Sequence, residues 1–118
     1  MLRTSIRKFS VDGFGRVKIG LKSEKLVKKL EKGDEVFTPY GPDKIKNIEK
    51  IPLAYGFGEL VELNKMLISP ENPVKIFDEW TLPKEVKKVE FVKCRSLYSI
   101  SLEKYDTITI NGNNVKTN

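Results

Sequence analysis

The chain of 118 residues has no histidine and one cysteine. Without histidine it lacks the side chain that ordinarily carries protons near neutral pH. A lone Cys94 excludes an internal disulfide and a thiolate cage, so no metal site is expected. Gly13-Phe14-Gly15 lacks the flanking strand and helix of a dinucleotide loop, and no cofactor is expected. No apolar run exceeds a few residues, so no segment can span a bilayer. The opening Met1-Leu2-Arg3-Thr4-Ser5-Ile6-Arg7 lacks the apolar stretch of a secretory signal. Together with the single thiol, this predicts a reducing, intracellular, cytoplasmic setting. Cys94 lies between Lys93 and Arg95, which would acidify it, but its strand-like surroundings suit a half-buried structural thiol.

What is present describes one small domain. Apolar residues make up 39%, enough for a modest core, and the prolines and glycines are scattered rather than gathered into a linker. Lys and Arg exceed Asp and Glu by 22 to 16, a formal +6. The signs alternate, however, as in Lys22-Ser23-Glu24-Lys25 and Glu31-Lys32-Gly33-Asp34-Glu35, which reads as a solvated mixed surface. A nucleic-acid groove would pair a stripe of one sign with exposed aromatics, and the sequence does not display one.

Short strands dominate. Arg16-Val17-Lys18-Ile19 and Lys44 to Ile51 alternate, and Glu35–Thr38 forms another strand before a turn at Pro39–Asp43. Leu60–Leu63 and Met66–Ser69 flank a tight Asn64-Lys65 turn, and Val74–Phe77 and Trp80–Leu82 flank Asp78-Glu79. Val89–Val92 and Leu97–Leu102 follow, and Thr107–Ile110 runs into Asn111-Gly112, the strongest hairpin signal in the chain. The single expected helix spans Ser23 to Glu31, with Ser23 as N-cap, Leu26, Val27 and Leu30 on one face and Gly33 beyond its end. This spacing predicts an all-β domain.

Four ordered blocks resemble the Hint fold of hedgehog and intein proteins, most closely its Vint variant, found beside von Willebrand A domains. Ser10-Val11-Asp12-Gly13-Phe14-Gly15-Arg16-Val17-Lys18 resembles the opening segment, and Leu26 to Val36 the short helix with its Gly-Asp-x-Val turn. Leu67-Ile68-Ser69-Pro70-Glu71-Asn72-Pro73-Val74, with Trp80 and Pro83, resembles the Thr-x-x-His-Pro block. Leu97–Leu102 through Ile110-Asn111-Gly112 and Val115 resembles the closing hairpin. The resemblance implies a Hint-like horseshoe of short antiparallel strands with one short helix over 10–118, preceded by a flanking segment, 1–9.

It also implies autoprocessing, in which the first side chain attacks the preceding carbonyl and turns an amide into an ester or thioester. Transferred to this chain, Ser10 is the nucleophile and Phe9 supplies the carbonyl. Ser69 stands for the Thr, and Asn72 for the histidine that protonates the leaving amide. Asp106 occupies a closing-hairpin position that could serve as a base. Lys116 or Thr117 replaces the penultimate histidine, and Asn118 stands where a cyclising asparagine would be. The expected substrate is the protein's own flanking polypeptide. With Asn in place of His and Ser in place of Cys, any cleavage or splicing would be weak or absent, since acid–base help is worth about 10²–10⁴-fold.

Each assignment has a plainer rival. Ser10 also suits a turn with Asp12-Gly13, Asn72-Pro73 is a common turn dipeptide, and Asp106 suits a hairpin end. Two other functions remain open. One is a non-catalytic protein-interaction module on the same scaffold, suggested by the +6 charge and the loop aromatics Tyr40, Tyr55 and Phe57. The other is a small basic β-barrel binding nucleic acid, which rests on charge and β content alone.

Overall fold

The computed structural model describes residues 9–118. The expected flanking segment therefore lies, apart from Phe9, outside the described residues. Among the described residues, thirteen strands, most of them short, are joined by tight turns and three single 3₁₀ turns. In order they are β1 (Val11–Asp12), β2 (Arg16–Lys18), β3 (Glu24–Leu26), β4 (Glu35–Thr38), β5 (Gly41–Pro52), β6 (Phe57–Leu63) and β7 (Met66–Ile68). Then come β8 (Val74–Ile76), β9 (Glu79–Thr81), β10 (Glu90–Lys93), β11 (Ser96–Leu102), β12 (Thr107–Ile110) and β13 (Asn113–Lys116). The fold is all-β and antiparallel, and its extents are 44 × 29 × 24 Å.

A seven-stranded sheet runs β10-β6-β7-β1-β11-β5-β4, a four-stranded one β12-β13-β8-β9, and β2 pairs β3. The two-residue β1 lies in the middle of the large sheet. Val11 pairs with Tyr98 of β11 on one side and Ile68 of β7 on the other. Both β1 residues are buried because both faces of the sheet are covered there. On one face, Val11, Val61, Met66, Ile68, Ile100 and Leu102 join the main core with Ile108, Ile110 and Val115 from the second sheet. On the other, Leu60, Cys94 and Leu97 form a smaller cluster. Alternation along β6 and β7 sends Val61 and Ile68 to the first face and Leu60 and Leu67 to the second.

The turns follow their chemistry. Asn64-Lys65 and Asn111-Gly112 both have two consecutive positive-φ residues, the geometry that matches a hairpin's twist. The β8–β9 turn falls on Phe77-Asp78 rather than on Asp78-Glu79, one residue earlier than the sequence suggested. Phe77 adopts φ +49° and stands 98% exposed.

The helix expected over 23–31 is not formed. Its first part is β3, with Leu26 opposite Arg16, and Val27–Lys29 makes one 3₁₀ turn. The N–H groups of Val27 and Lys28 donate to the carbonyls of Gly15 and Gly13, and Val27 is completely buried. Long-range pairing with residues 13–18 thus takes the hydrogen bonds a helix would have kept local. Gly13 permits this approach, because a Cβ there would lie 2.8 Å from Cβ of Lys28. Gly15 makes room for β12, since a Cβ there would lie 2.4 Å from Cγ2 of Ile110.

Candidate functional site

The site forms where β1 enters the large sheet. Ser10 is 4% exposed, and its carbonyl accepts the N–H of Ser69 at 3.1 Å. That contact extends the β1–β7 pairing by one residue and brings the hydroxyls together, Ser10 Oγ to Ser69 Oγ, at 2.6 Å. The preceding residue is held by Asn118. Phe9 N–H donates to Asn118 Oδ1 at 3.0 Å, and Asn118 Nδ2 donates to the Phe9 carbonyl oxygen at 2.8 Å. Nδ2 also donates to Ser99 Oγ at 2.7 Å, and the Asn118 N–H donates to Ile100 O.

Asn72 closes the turn after β7 and is 1% exposed. Its N–H donates to Ser69 O, and its Nδ2 donates to the carbonyls of Pro73 and Lys116, both at 3.1 Å. Both amide hydrogens are therefore engaged in tying the 69–73 turn to β13. Asn72 nonetheless lines a small cavity shared with Phe9, Ser10, Lys116 and Thr117, of about 10 Å³, the size of a single water site. Thr117 is 6% exposed and its hydroxyl has no hydrogen-bond partner among the described residues.

Asp106 lies apart from this group. Its backbone carbonyl accepts the N–H of Thr117. Its carboxylate, 60% exposed, contacts Lys116 Nζ at 3.0 Å and accepts from Thr107 Oγ1. The hydrogen bond from Lys116, reinforced by that from Thr107, holds Asp106 below the usual carboxylate range. Lys116 is itself directed to Asp106 and to the face of Trp80, 4.7 Å from the ring centroid.

Ser10, Ser69, Asn72, Thr117 and Asn118 thus converge, while Asp106 is one residue removed through Lys116. The sequence reading missed Ser99. Its signal was a serine on the alternating run Leu97–Leu102, where a buried polar side chain must find a partner. Among the described residues no cluster of His, Cys, Asp or Glu could hold a metal ion. Cys94 is buried, and burial, with the nearby Asp12 charge adding to it, pushes its thiol up. The flanking cations therefore do not acidify it.

Farther along β1 a groove of about 440 Å³ runs past Asp12 and Tyr98. Lys28, Lys50, Lys93 and Arg95 border it, and Phe14, 64% exposed, carries Lys28 Nζ 4.3 Å above its ring. Asp12 is the one carboxylate in its wall. It is raised by burial, although the Leu67 and Phe14 N–H groups bind it.

This arrangement, a short central strand with a buried serine hydroxyl at its entrance and a closing hairpin beside it, is that of a Hint-type domain. The Vint family model, described as a Hint domain, matches residues 10–117, and the chain belongs to that family. Two crystal structures of the gp41-1 intein share the fold. One, a variant with three substitutions, has a TM-score of 0.66 at 15% identity, covering 93% of this chain and 99% of the other. The second has a TM-score of 0.65 at 15% identity, covering 95% and 100%. No curated protein matches significantly. Among the described residues no helix is long and apolar enough to cross a membrane.

Proposed function

We propose that this Hint domain performs a slow acyl shift at Phe9–Ser10, giving an ester from which attack by water or another nucleophile then releases or transfers the segment ahead of Ser10. The observation that carries this is the buried Ser10 hydroxyl, 2.6 Å from Ser69 Oγ, next to a carbonyl already clasped by Asn118. Ser10 Oγ bonds to the Phe9 carbonyl carbon, and the Phe9–Ser10 C–N bond breaks. The proton lost from Oγ, passed through the Ser69 hydroxyl, is the one gained by the departing nitrogen. The product is an ester with a free amine on Ser10. The rate is low because no histidine delivers that proton, and Asn72, which occupies the expected place, has its donors on other carbonyls.

Hydroxylamine cleaves such an ester, so long incubation should remove residues 1–9 from the purified chain by intact mass. Ser10→Ala should abolish the loss. Unchanged mass in both would leave the domain without this activity.

A second reading, a protein-interaction surface, is favoured by the groove beside Asp12. None of its four cations is in an ion pair among the described residues, so an acidic peptide would find unneutralised charge next to exposed Phe14. A Glu-rich labelled peptide should bind at low salt, weaken as salt rises, and lose affinity in Lys28→Glu/Arg95→Glu. Salt-independent binding, or preference for single-stranded nucleic acid, would reject it.

A further inference from the structure

We infer that the side-chain amide of Asn118 is the hydrogen-bond donor that stabilises the Phe9 carbonyl oxygen as Ser10 attacks it, with Ser99 positioning that amide. The inference rests on the acyl-shift reading. It differs from the cyclising role expected of Asn118, and it concerns a residue beyond the 10–117 family match.

Attack on a carbonyl transfers negative charge to its oxygen, so the useful group is a donor already aimed at that oxygen. Asn118 Nδ2 sits 2.8 Å from Phe9 O. The amide cannot swing freely. Its Oδ1 accepts Phe9 N–H at 3.0 Å, its second Nδ2 hydrogen goes to Ser99 Oγ at 2.7 Å, and its backbone N–H is fixed on Ile100 O. These contacts also settle the orientation of the amide, since a flipped Asn118 would set its oxygen against Phe9 O and its nitrogen against Phe9 N–H. Ser99 lies on β11, the strand that pairs with β1, and is 6% exposed, so the donor is referenced to the same sheet that fixes Ser10. No other hydrogen bond to Phe9 O is present among the described residues. In a chain without a proton-carrying histidine, this donor is the main electrostatic help available to the oxygen.

The test measures single-turnover cleavage with hydroxylamine, in the natural Ser10 background and in Ser10→Cys, with thermal unfolding of each variant alongside. Removing one such donor should slow cleavage about 10²–10³-fold. Asn118→Ala and the near-isosteric Asn118→Asp, which sets a carboxylate against Phe9 O, should both show that loss while remaining folded. Ser99→Ala should slow cleavage less, and Ser99→Thr, which keeps the hydroxyl, should restore it. Independently of turnover, the Asn118 side-chain amide protons should exchange slowly in the wild type and faster in Ser99→Ala. Wild-type cleavage with unchanged rates in Asn118→Ala and Asn118→Asp would overturn the role of Asn118 alone. No cleavage in either background would overturn the acyl-shift reading and this inference with it.

Discussion

Ser10 Oγ and Ser69 Oγ, 59 residues apart in the chain, meet at 2.6 Å because β7 pairs with β1, which Ser10 immediately precedes. The Ser69 hydroxyl is the nearest group through which the Ser10 proton can leave. Ser69→Ala should therefore slow hydroxylamine cleavage by about tenfold or more and cost about 1 kcal/mol in urea unfolding. Ser69→Thr keeps the hydroxyl and should retain most of the rate. Equal rates in both variants would remove Ser69 from the reaction.

Supplying the missing proton carrier should wake the site. Combining Asn72→His with Ser10→Cys should raise cleavage at residue 9 by about 10²-fold or more over Ser10→Cys alone. The imidazole cannot donate to both Pro73 O and Lys116 O, so stability should fall by about 1–3 kcal/mol. A folded double variant that never cleaves would contradict the proposed chemistry.

Asp106 gives a contrasting expectation. Its carboxylate is largely exposed and bonded to Lys116, so Asp106→Asn should leave cleavage nearly unchanged and alter stability by less than about 1 kcal/mol. A large loss of rate, with the protein still folded, would identify it as the base.

Asp43 should contribute to acid stability. It is 3% exposed and accepts N–H groups from Lys44, Lys104 and Tyr105. Burial alone would raise it, but these backbone donors outweigh burial and hold it below the ordinary 3.8. A lowered folded pKa means stability that is present above 3.8 and lost as pH falls through the folded value. Asp43→Asn should cost about 1–3 kcal/mol at pH 7. The decline in unfolding free energy from pH 4 to pH 2 should be shallower than in the wild type, as followed by circular dichroism.

Gly15→Ala tests the packing that replaces the expected helix. Its Cβ would sit 2.4 Å from Ile110 Cγ2 in a filled core, so unfolding in urea should show a loss of about 1–3 kcal/mol. A neutral result would mean that the β2–β3 unit can move away from β12.

Much of the fold was legible locally. Alternation in Leu97–Leu102 and Thr107–Ile110, and turn pairs such as Asn64-Lys65 and Asn111-Gly112, act over a few residues and need no distant partner. The loop aromatics were less so. Tyr55 is 98% exposed, while Phe57 stacks on Phe91 at 5.3 Å and Tyr40 tilts against Tyr105 at 5.5 Å, partners the local sequence does not name. The same holds for the groove, whose Lys28, Lys50, Lys93 and Arg95 look like mixed charge in the chain and gather in space around the single carboxylate of Asp12.

The sequence by itself determined most of the short strands, the Asn64-Lys65 and Asn111-Gly112 hairpin turns and the residue types available at the site, including the absence of any histidine. These are properties of side chains and of their immediate neighbours. Tertiary structure decided that 24–28 would pair with 13–18 rather than coil, because Gly13 lets the chain at Lys28 close on it and Val27 is buried in the core. It also decided which polar groups lie beside Phe9–Ser10. Asn118 reaches Phe9 across 109 residues, and Asn72 is drawn instead to Lys116 across 44, since buried donors are fixed by the carbonyls that packing leaves within their reach.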